Sequence, residues 1–531
     1  MILFQFSQLS EDILTALTIV HERKNLLAPI NRLPLDVLCL IPTHLASLSD
    51  RLRVTFVCRH WRRTFLQYAA LWSQLYLTRR TDRLLTKTLL ERSKGSPLDI
   101  TVDYHMNPIP INVTLFSPFA QQIRSLDLEQ TFSDTIQGLS MAIPGLLPLL
   151  RTLKIHVYRG PSDPPETSGL PLFEGAVNVK NFVLSVENNL LSLRQFAFPN
   201  LTTFNFSAFA MEFPVSQLLS FLEASPALQQ IRMYIMADRF REDVPPERVI
   251  VLSNVKDFSL DVTSDGPGCE IATHISCPLA KHVGFFHELE GFGRDVPKDV
   301  YPPSVSWNAL ARQYTEGTTD RVVLEMRMDG DLSIICSITF GSSDGTTLRL
   351  CYFHGSTGED IEMEMSLERW LPAVFSQALR TIREYPLLGS IRHLHVKGGG
   401  IVIHNLGLAA EGVGRLLRSM GPLEKLTLDR CDLRPYLDTF LDTPIFPESI
   451  QPTSFPPIKE LVIIRPVQSF CNEEVYGAAM VEFARSQEAR GMSLERVNFC
   501  VRVPSPLVDE LVAFVDRVEC YGEALSDGDG Y

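Results

Sequence analysis

One short apolar template recurs along most of this chain and constrains its fold more than any other feature. Written apolar-x-x-apolar-x-apolar, it occurs at Ile123-Leu126-Leu128, Leu150-Leu153-Ile155, Val179-Phe182-Leu184, Leu201-Phe204-Phe206, Leu228-Ile231-Met233 and Val255-Phe258-Leu260. Successive starts lie 27, 29, 22, 27 and 27 residues apart, and a weaker copy starts at Ala280 with Val283 and Phe285. The series resumes at Ile391-Leu394-Val396, Leu423-Leu426-Leu428, Ile458-Leu461-Ile463 and Leu494-Val497-Phe499, with longer steps of 32, 35 and 36. Three apolar residues at this spacing also arise in an ordinary strand. Their return at repeating intervals argues for a stack of like units, each unable to bury its apolar face alone.

The copy at Leu423 is the fullest, because Leu423, Leu426, Leu428, Cys431 and Leu433 fill five positions of an L-x-x-L-x-L-x-x-C-x-L pattern. On these residues the region resembles a leucine-rich repeat, with strand, return helix and strand in succession. Helix-like segments lie between copies, such as Val215-Gln217-Leu218-Leu219-Phe221-Leu222 before Pro226, and Val413-Leu416-Leu417-Met420 before Gly421-Pro422. A half-buried strand alternates, so Leu426 and Leu428 are expected to turn inward while Thr427 and Asp429 turn onto the outer sheet face.

Residues 286–390 interrupt the series. Val322, Leu324, Met326 and Met328 alternate, Asp329-Gly330-Asp331 marks a tight turn, and Leu332, Ile334, Cys336, Ile338 and Phe340 alternate again, which predicts an antiparallel hairpin. Further runs over residues 348–353 and 361–365 extend it to a β-meander, followed by a helix carrying Trp370, Val374, Ala378, Leu379 and Ile382. Residues 288–306, rich in Pro, Gly and charge, are expected to form a loop.

The N-terminal part reads differently. Pro34 fits a first-turn helix position, and Val37, Leu38 and Ile41 follow as an i, i+1, i+4 stripe, with Pro42 expected to end that helix early. A second stripe runs through Leu45, Leu48, Leu52, Phe56 and Val57, with Ser47 or Ser49 as its N-cap. Then come Cys58, Arg59, Trp61 and Arg62, and later Leu71-Trp72. This ordered set, Leu33-Pro34 with Asp36 through Val-Cys-Arg-x-Trp-Arg to Leu-Trp, resembles the F-box. Ahead of it Ile13, Leu17 and Val20 recur at helical spacing, which reads as a helix leading into the F-box, with a coiled-coil partner surface as the alternative.

At 531 residues the chain exceeds one compact core. The expected class is α/β: an N-terminal helix (1–30), a short helical F-box (31–78), an irregular leucine-rich-repeat solenoid in two parts (79–285 and 391–520) around the β-meander insertion (286–390), and a disordered tail (521–531). Charge is uneven, with 14 Lys+Arg against 9 Asp+Glu over residues 1–120, a net of +5, and a net of −18 beyond. An acidic body is repelled by phosphate backbones, which argues against nucleic acid as a ligand. No apolar run approaches the roughly 20 residues that span a bilayer, and the first residues lack the pattern of a secretory signal, so a cytoplasmic or nuclear location is expected. Ten cysteines occur without a C-x-x-C pair, which fits reduced thiols.

Catalytic chemistry is sought and not found. Cys269, His274 and Cys277 lack a standard zinc spacing, and Lys397-Gly398-Gly399-Gly400 fits a turn after a strand better than a phosphate loop. No G-x-S-x-G, H-E-x-x-H or G-x-G-x-x-G is present. The expectation is therefore a non-enzyme without cofactor or metal. Resemblance to the F-box implies that Leu33, Pro34, Asp36, Val37, Leu38, Ile41, Leu45, Val57 and Trp61 dock a Skp-type adaptor, which brings a cullin and a RING subunit. Resemblance to F-box proteins with divergent leucine-rich repeats, fungal ones in particular, implies a substrate-recognition subunit of an SCF-type ubiquitin ligase. The alternative is an F-box scaffold without ubiquitination activity; an enzyme hidden in the 286–390 insertion is the third reading.

Substrate contact is expected on outward residues of successive strands: Asp127, Lys154, His156, Asn205, Arg232, Tyr234, Ser259, Asp261, His395, Lys397, Thr427 and Asp429. Of these Arg232, Tyr234, Ser259, Asp261, His395, Lys397 and Asp429 are the candidate substrate-binding residues, since Arg and Tyr are enriched at interface anchors.

Overall fold

A computed structural model of the chain describes residues 2–45, 47–78, 82–103, 115–131, 147–157, 175–187, 193–241, 248–263, 270–288, 319–329, 333–342, 347–354, 391–399, 423–429, 458–464, 473–489, 494–500 and 505–520, with a few isolated positions between them. The expected loop at 289–306, the strand at 361–365, the helix around Trp370, most of the helix at 413–420 and the tail lie outside these residues. The chain divides into two units, Met1–Phe206 with Ser220–Ala227, and Ser207–Leu219 with Leu228–Tyr531.

The first unit opens with α1 (Ile2–Leu27) and a short helical module: α2 (Leu35–Leu40), α3 (Leu48–Val54) and α4 (Arg59–Gln67), with 3-10 turns at Pro29–Arg32, Ile41–His44 and Ala69–Trp72. Pro34 caps α2 rather than lying inside it, and the helix gives way to the 3-10 turn that holds Pro42. A prolyl ring cannot donate to the α-helical ladder, which is why the helix stops there. Of the two cap candidates the structure uses Ser47, whose Oγ accepts from the Asp50 N–H at 3.0 Å. Leu38, Phe65, Leu71 and Trp72 are at most 1 % exposed and form the module's core. Trp72 Nε1 donates to the Phe65 carbonyl at 2.9 Å, and Trp61 packs edge-on against Phe65 with centroids 5.3 Å apart.

After this module the body is mixed α/β with parallel sheets. In the first unit β1 (Gln74–Thr78), β2 (Leu98–Asp103), β3 (Ile123–Thr131), β4 (Thr152–Val157) and β5 (Asn181–Glu187) pair in parallel in chain order, and β6 (Thr203–Pro214) follows β5. α5 (Arg83–Arg92) connects β1 to β2, as parallel pairing requires a crossover. Register sets Leu75, Ile100, Leu126, Leu153 and Phe182 in one row, all at most 3 % exposed. The first apolar position of each template is equally buried, Ile123 at the start of its strand and Leu150, Val179 and Leu201 just before theirs. There the backbone repeats one hydrogen bond from unit to unit, Arg151 N–H to Arg124 O, Lys180 N–H to Arg151 O and Thr202 N–H to Lys180 O, each 2.8 Å. Phe182 collects Phe196, Phe198, Phe204 and Phe221 at centroid distances of 5.0 to 6.0 Å.

In the second unit β7 (Gln230–Arg241) pairs in parallel with β9 (Asp257–Thr263), and β9 with β11 (His282–Glu288); β8 (Ile250–Val251) and β10 (Ile275–Ser276) form a separate small pair. The expected hairpin is present as β12 (Thr319–Asp329) antiparallel to β13 (Ser333–Ser342), which is antiparallel in turn to β14 (Thr347–His354). This meander is built into the sheet: β14 lies parallel to β11, and β12 parallel to β15 (His393–Gly399). Parallel pairing then continues through β16 (Leu423–Asp429), β17 (Ile458–Ile464), β18 (Leu494–Phe499) and β19 (Val515–Cys520). The inward row Met233, Leu260 and Phe285 recurs as Val396, Leu428, Ile463 and Phe499, all at most 2 % exposed. Thr427 and Asp429, expected on a solvated outer face, are only 8 % and 5 % exposed, as are Val462 at 7 % and Asn498 at 8 %. Burial does not alternate there: four successive residues of β16, Leu426 to Asp429, are buried on both sides of the strand.

Candidate functional site

Two surfaces carry the residues singled out from the sequence. The first is on the helical module, whose core is closed by its own side chains while part of its apolar stripe remains in solvent. Leu33 is 38 % exposed, Val37 40 % and Val57 60 %, with Pro34 and Asp36 exposed as well. Ile41 and Leu45 are half-buried. Leu38 and Trp61, expected among the contact residues, are core residues at 0 % and 6 % exposure. Trp61 Nε1 donates to Asn31 Oδ1 at 2.5 Å, which ties α4 to the turn preceding Leu33. Arg51 is buried too; its guanidinium donates to the carbonyls of Leu71 at 3.2 Å and Gln74 at 2.7 Å, linking α3 to the start of β1. Burial lowers its pKa from the usual arginine value.

Four more large apolar side chains are exposed on this module and were not among the expected docking residues: Ile30 at 44 %, Leu35 at 60 %, Leu40 at 55 % and Phe56 at 70 %, the last under the Arg62 guanidinium at 5.5 Å. A six-residue helix turns its apolar residues to several sides, so exposure rather than periodicity separates docking positions from core ones. Four apolar side chains on α2 and its approach, Leu33, Leu35, Val37 and Leu40, are therefore exposed.

The second surface is the outer face of the sheet in the second unit. Register brings four of the expected residues together: Arg232 lies opposite Ser259 and Tyr234 opposite Asp261. The next strand adds Gly284 beside Ser259. Small side chains at Ser259 and Gly284 leave a concavity of ≈ 640 Å³ walled by Gln230, Arg232, Asp257, Asp261 and His282. Tyr234 stands at its margin, tilted against Phe209 with centroids 5.6 Å apart. The other candidates do not join this site. His395 lies opposite Thr427, and Lys397 opposite Asp429. Six strand steps separate β7 from β15, about 29 Å at the usual strand spacing. Asp429 is buried there, and it does not face solvent as a substrate contact would.

In the first unit the outward Lys154 and Asp127 neutralise each other at 2.8 Å. Tyr76 donates to Asp103 at 2.9 Å, and that hydrogen bond, with desolvation and the nearby Asp103, Glu129 and Asp127 charges, raises the phenol's pKa. His274 is 8 % exposed with Nδ1 2.7 Å from the Arg248 carbonyl, so that nitrogen is engaged by the backbone; Cys269 lies outside the described residues. Among the described residues no group of three or more His, Cys, Asp or Glu is placed to hold a metal ion, and no helix is long and apolar enough to cross a membrane.

Compared with known proteins, residues 30–78 match the family model described as F-box-like. No curated protein matches the chain. The helical module described above is thus an F-box-like domain, and F-box domains generally bind Skp-type adaptors.

Proposed function

We propose that this chain is the substrate-recognition subunit of an SCF-type ubiquitin ligase, docking a Skp-type adaptor through residues 30–78 and holding a protein substrate on a leucine-rich-repeat-like body. The observation that carries the reading is the F-box-like domain itself, with Leu33, Leu35, Val37 and Leu40 left in solvent over a core already closed by Leu38, Phe65 and Trp72. Cullin and RING subunits would arrive through the adaptor. The chain would need no catalytic residue, because holding a substrate lysine near a loaded conjugating enzyme raises its effective concentration. The acidic body and the positions of Arg232, Ser259 and Asp261 support a protein substrate over nucleic acid. A cytoplasmic or nuclear setting belongs to the same proposal.

Leu33→Ala with Val37→Ala tests it. Interface anchors commonly carry about 2 kcal/mol or more each, so the pair should abolish adaptor pull-down while leaving the melting temperature unchanged. Undiminished capture at matched expression would refute adaptor docking at this face. Cullin in the same pull-down from cells supports the ligase; adaptor captured without cullin supports the scaffold alternative.

A further inference from the structure

α1 is a second exposed apolar surface, separate from the docking face. Leu9, Ile13, Leu17, Val20 and Leu27 are 55, 51, 49, 61 and 66 % exposed. At about 100° per residue they fall within an arc of roughly 80°, while Leu14 and Ile19, 62 and 48 % exposed, lie outside it. The side of α1 that meets the F-box-like module is the opposite one: Thr18 and Glu22 are half-buried, and Glu22 reaches Arg59 at 2.9 Å. The stripe therefore faces away from the module, and among the described residues nothing covers it. Ile13, Leu17, Val20, Lys24 and Leu27 are spaced 4, 3, 4 and 3 residues apart, the alternation of a two-helix seam. From Leu9 to Leu27 the helix offers about 27 Å of that seam.

Charge chooses the occupant and its direction. Asp12 is exposed near one end of the stripe, and Arg23 and Lys24 are exposed near the other. At about 100° per residue Asp12 and Arg23 fall on the same flank, and Lys24 within the seam. A second copy of this helix laid antiparallel, crossing near Thr18, sets Asp12 of each chain against Arg23 and Lys24 of the other. A parallel pairing would stack Lys24 on Lys24 within the seam, which is repulsive. We infer that α1 is a dimerisation helix that pairs antiparallel with α1 of a second copy of this chain. The dimer would carry two adaptor-docking faces, since the stripe and the face around Leu33 do not overlap.

Light scattering on the full-length chain, alone and with the adaptor, tests this. The expected mass is twice 59.8 kDa at micromolar concentration. Ile13→Asp with Leu17→Asp should leave a monomer that still captures the adaptor, which shows that the variant folds. Asp12→Lys should weaken the dimer at least tenfold, and so should Arg23→Glu with Lys24→Glu. The three changes combined should restore it, because antiparallel complementarity is regained with the signs reversed. A chain monomeric throughout, or a dimer indifferent to Ile13 and Leu17, overturns the inference. So does failure of the combined variant to recover, which would mean parallel pairing, or a dimer dissolved by the adaptor, which would assign the stripe to the adaptor.

Discussion

Ser47 and Asp50 show how single side chains hold the docking module in shape. The Ser47 hydroxyl accepts the Asp50 N–H and donates to Asp50 Oδ2 at 2.7 Å, and Asp50 also pairs with Arg53 at 2.9 Å. Ser47→Ala removes the cap and should lower stability by about 1 kcal/mol, read as a drop in denaturation midpoint. The hydrogen bond from Ser47 is the main cause that lowers the Asp50 pKa below its ordinary value, assisted by Arg53. A carboxyl whose folded pKa is depressed contributes stability above its unfolded pKa, and loses it as pH falls through the folded value. Asp50→Asn should therefore be less stable than the native chain at neutral pH, with the gap closing in acid. A gap that stays constant with pH would mean the charge is irrelevant. The sequence offered Ser47 and Ser49 equally; only the position of the first helical turn separates them.

At the level of elements, what was legible followed burial on one side. Template residues such as Leu126, Leu153 and Phe182 mark strands because each must meet the row above and below it, and a period of two shows directly in the sequence. Two further strands follow the same rule: Trp72-Leu75-Leu77 leads into β1 and Val515-Val518-Cys520 forms β19. Trp72 was obscured by its place at the end of the F-box pattern, and Val518 is half-buried while Cys520 is exposed. Cover on the outer face was not legible, because a polar residue such as Thr427 or Asp429 reads as solvated whether or not something lies over it. This alters the expected effect of substitution. Leu426→Asp should cost several kcal/mol by burying an unpaired carboxylate, and Thr427→Asp, at 8 % exposure, should also be clearly destabilising, whereas Glu424→Ala on the exposed approach should stay within about half a kcal/mol. Melting temperatures of the three variants decide it; an unchanged value for Thr427→Asp would mean the outer face is open after all.

For the whole molecule, a mixed α/β body with parallel strands was readable from the recurring strand template, but one continuous recognition face was not. Seven candidate contacts chosen as outward positions fall into two places about 29 Å apart, because the meander of β12 to β14, read as an interruption, takes up three strand places between β11 and β15. What remains at the first place is a block built by register from Arg232, Ser259, Asp261 and Gly284, with a floor of small side chains and long polar walls. If it holds the substrate, Arg232→Ala removes one wall and Ser259→Arg fills the floor, each at an exposed or half-buried outer position where the fold tolerates change. Proximity labelling in cells with the proteasome blocked should then lose the labelled partners at least tenfold, while adaptor capture is unchanged. The Leu33→Ala, Val37→Ala pair should do the reverse, keeping the partners and losing the adaptor. Loss of partners with the second pair alone would mean that they arrive through the adaptor; their persistence with Arg232→Ala and Ser259→Arg combined would move recognition off this face, to His395 and Lys397 as the next positions to change.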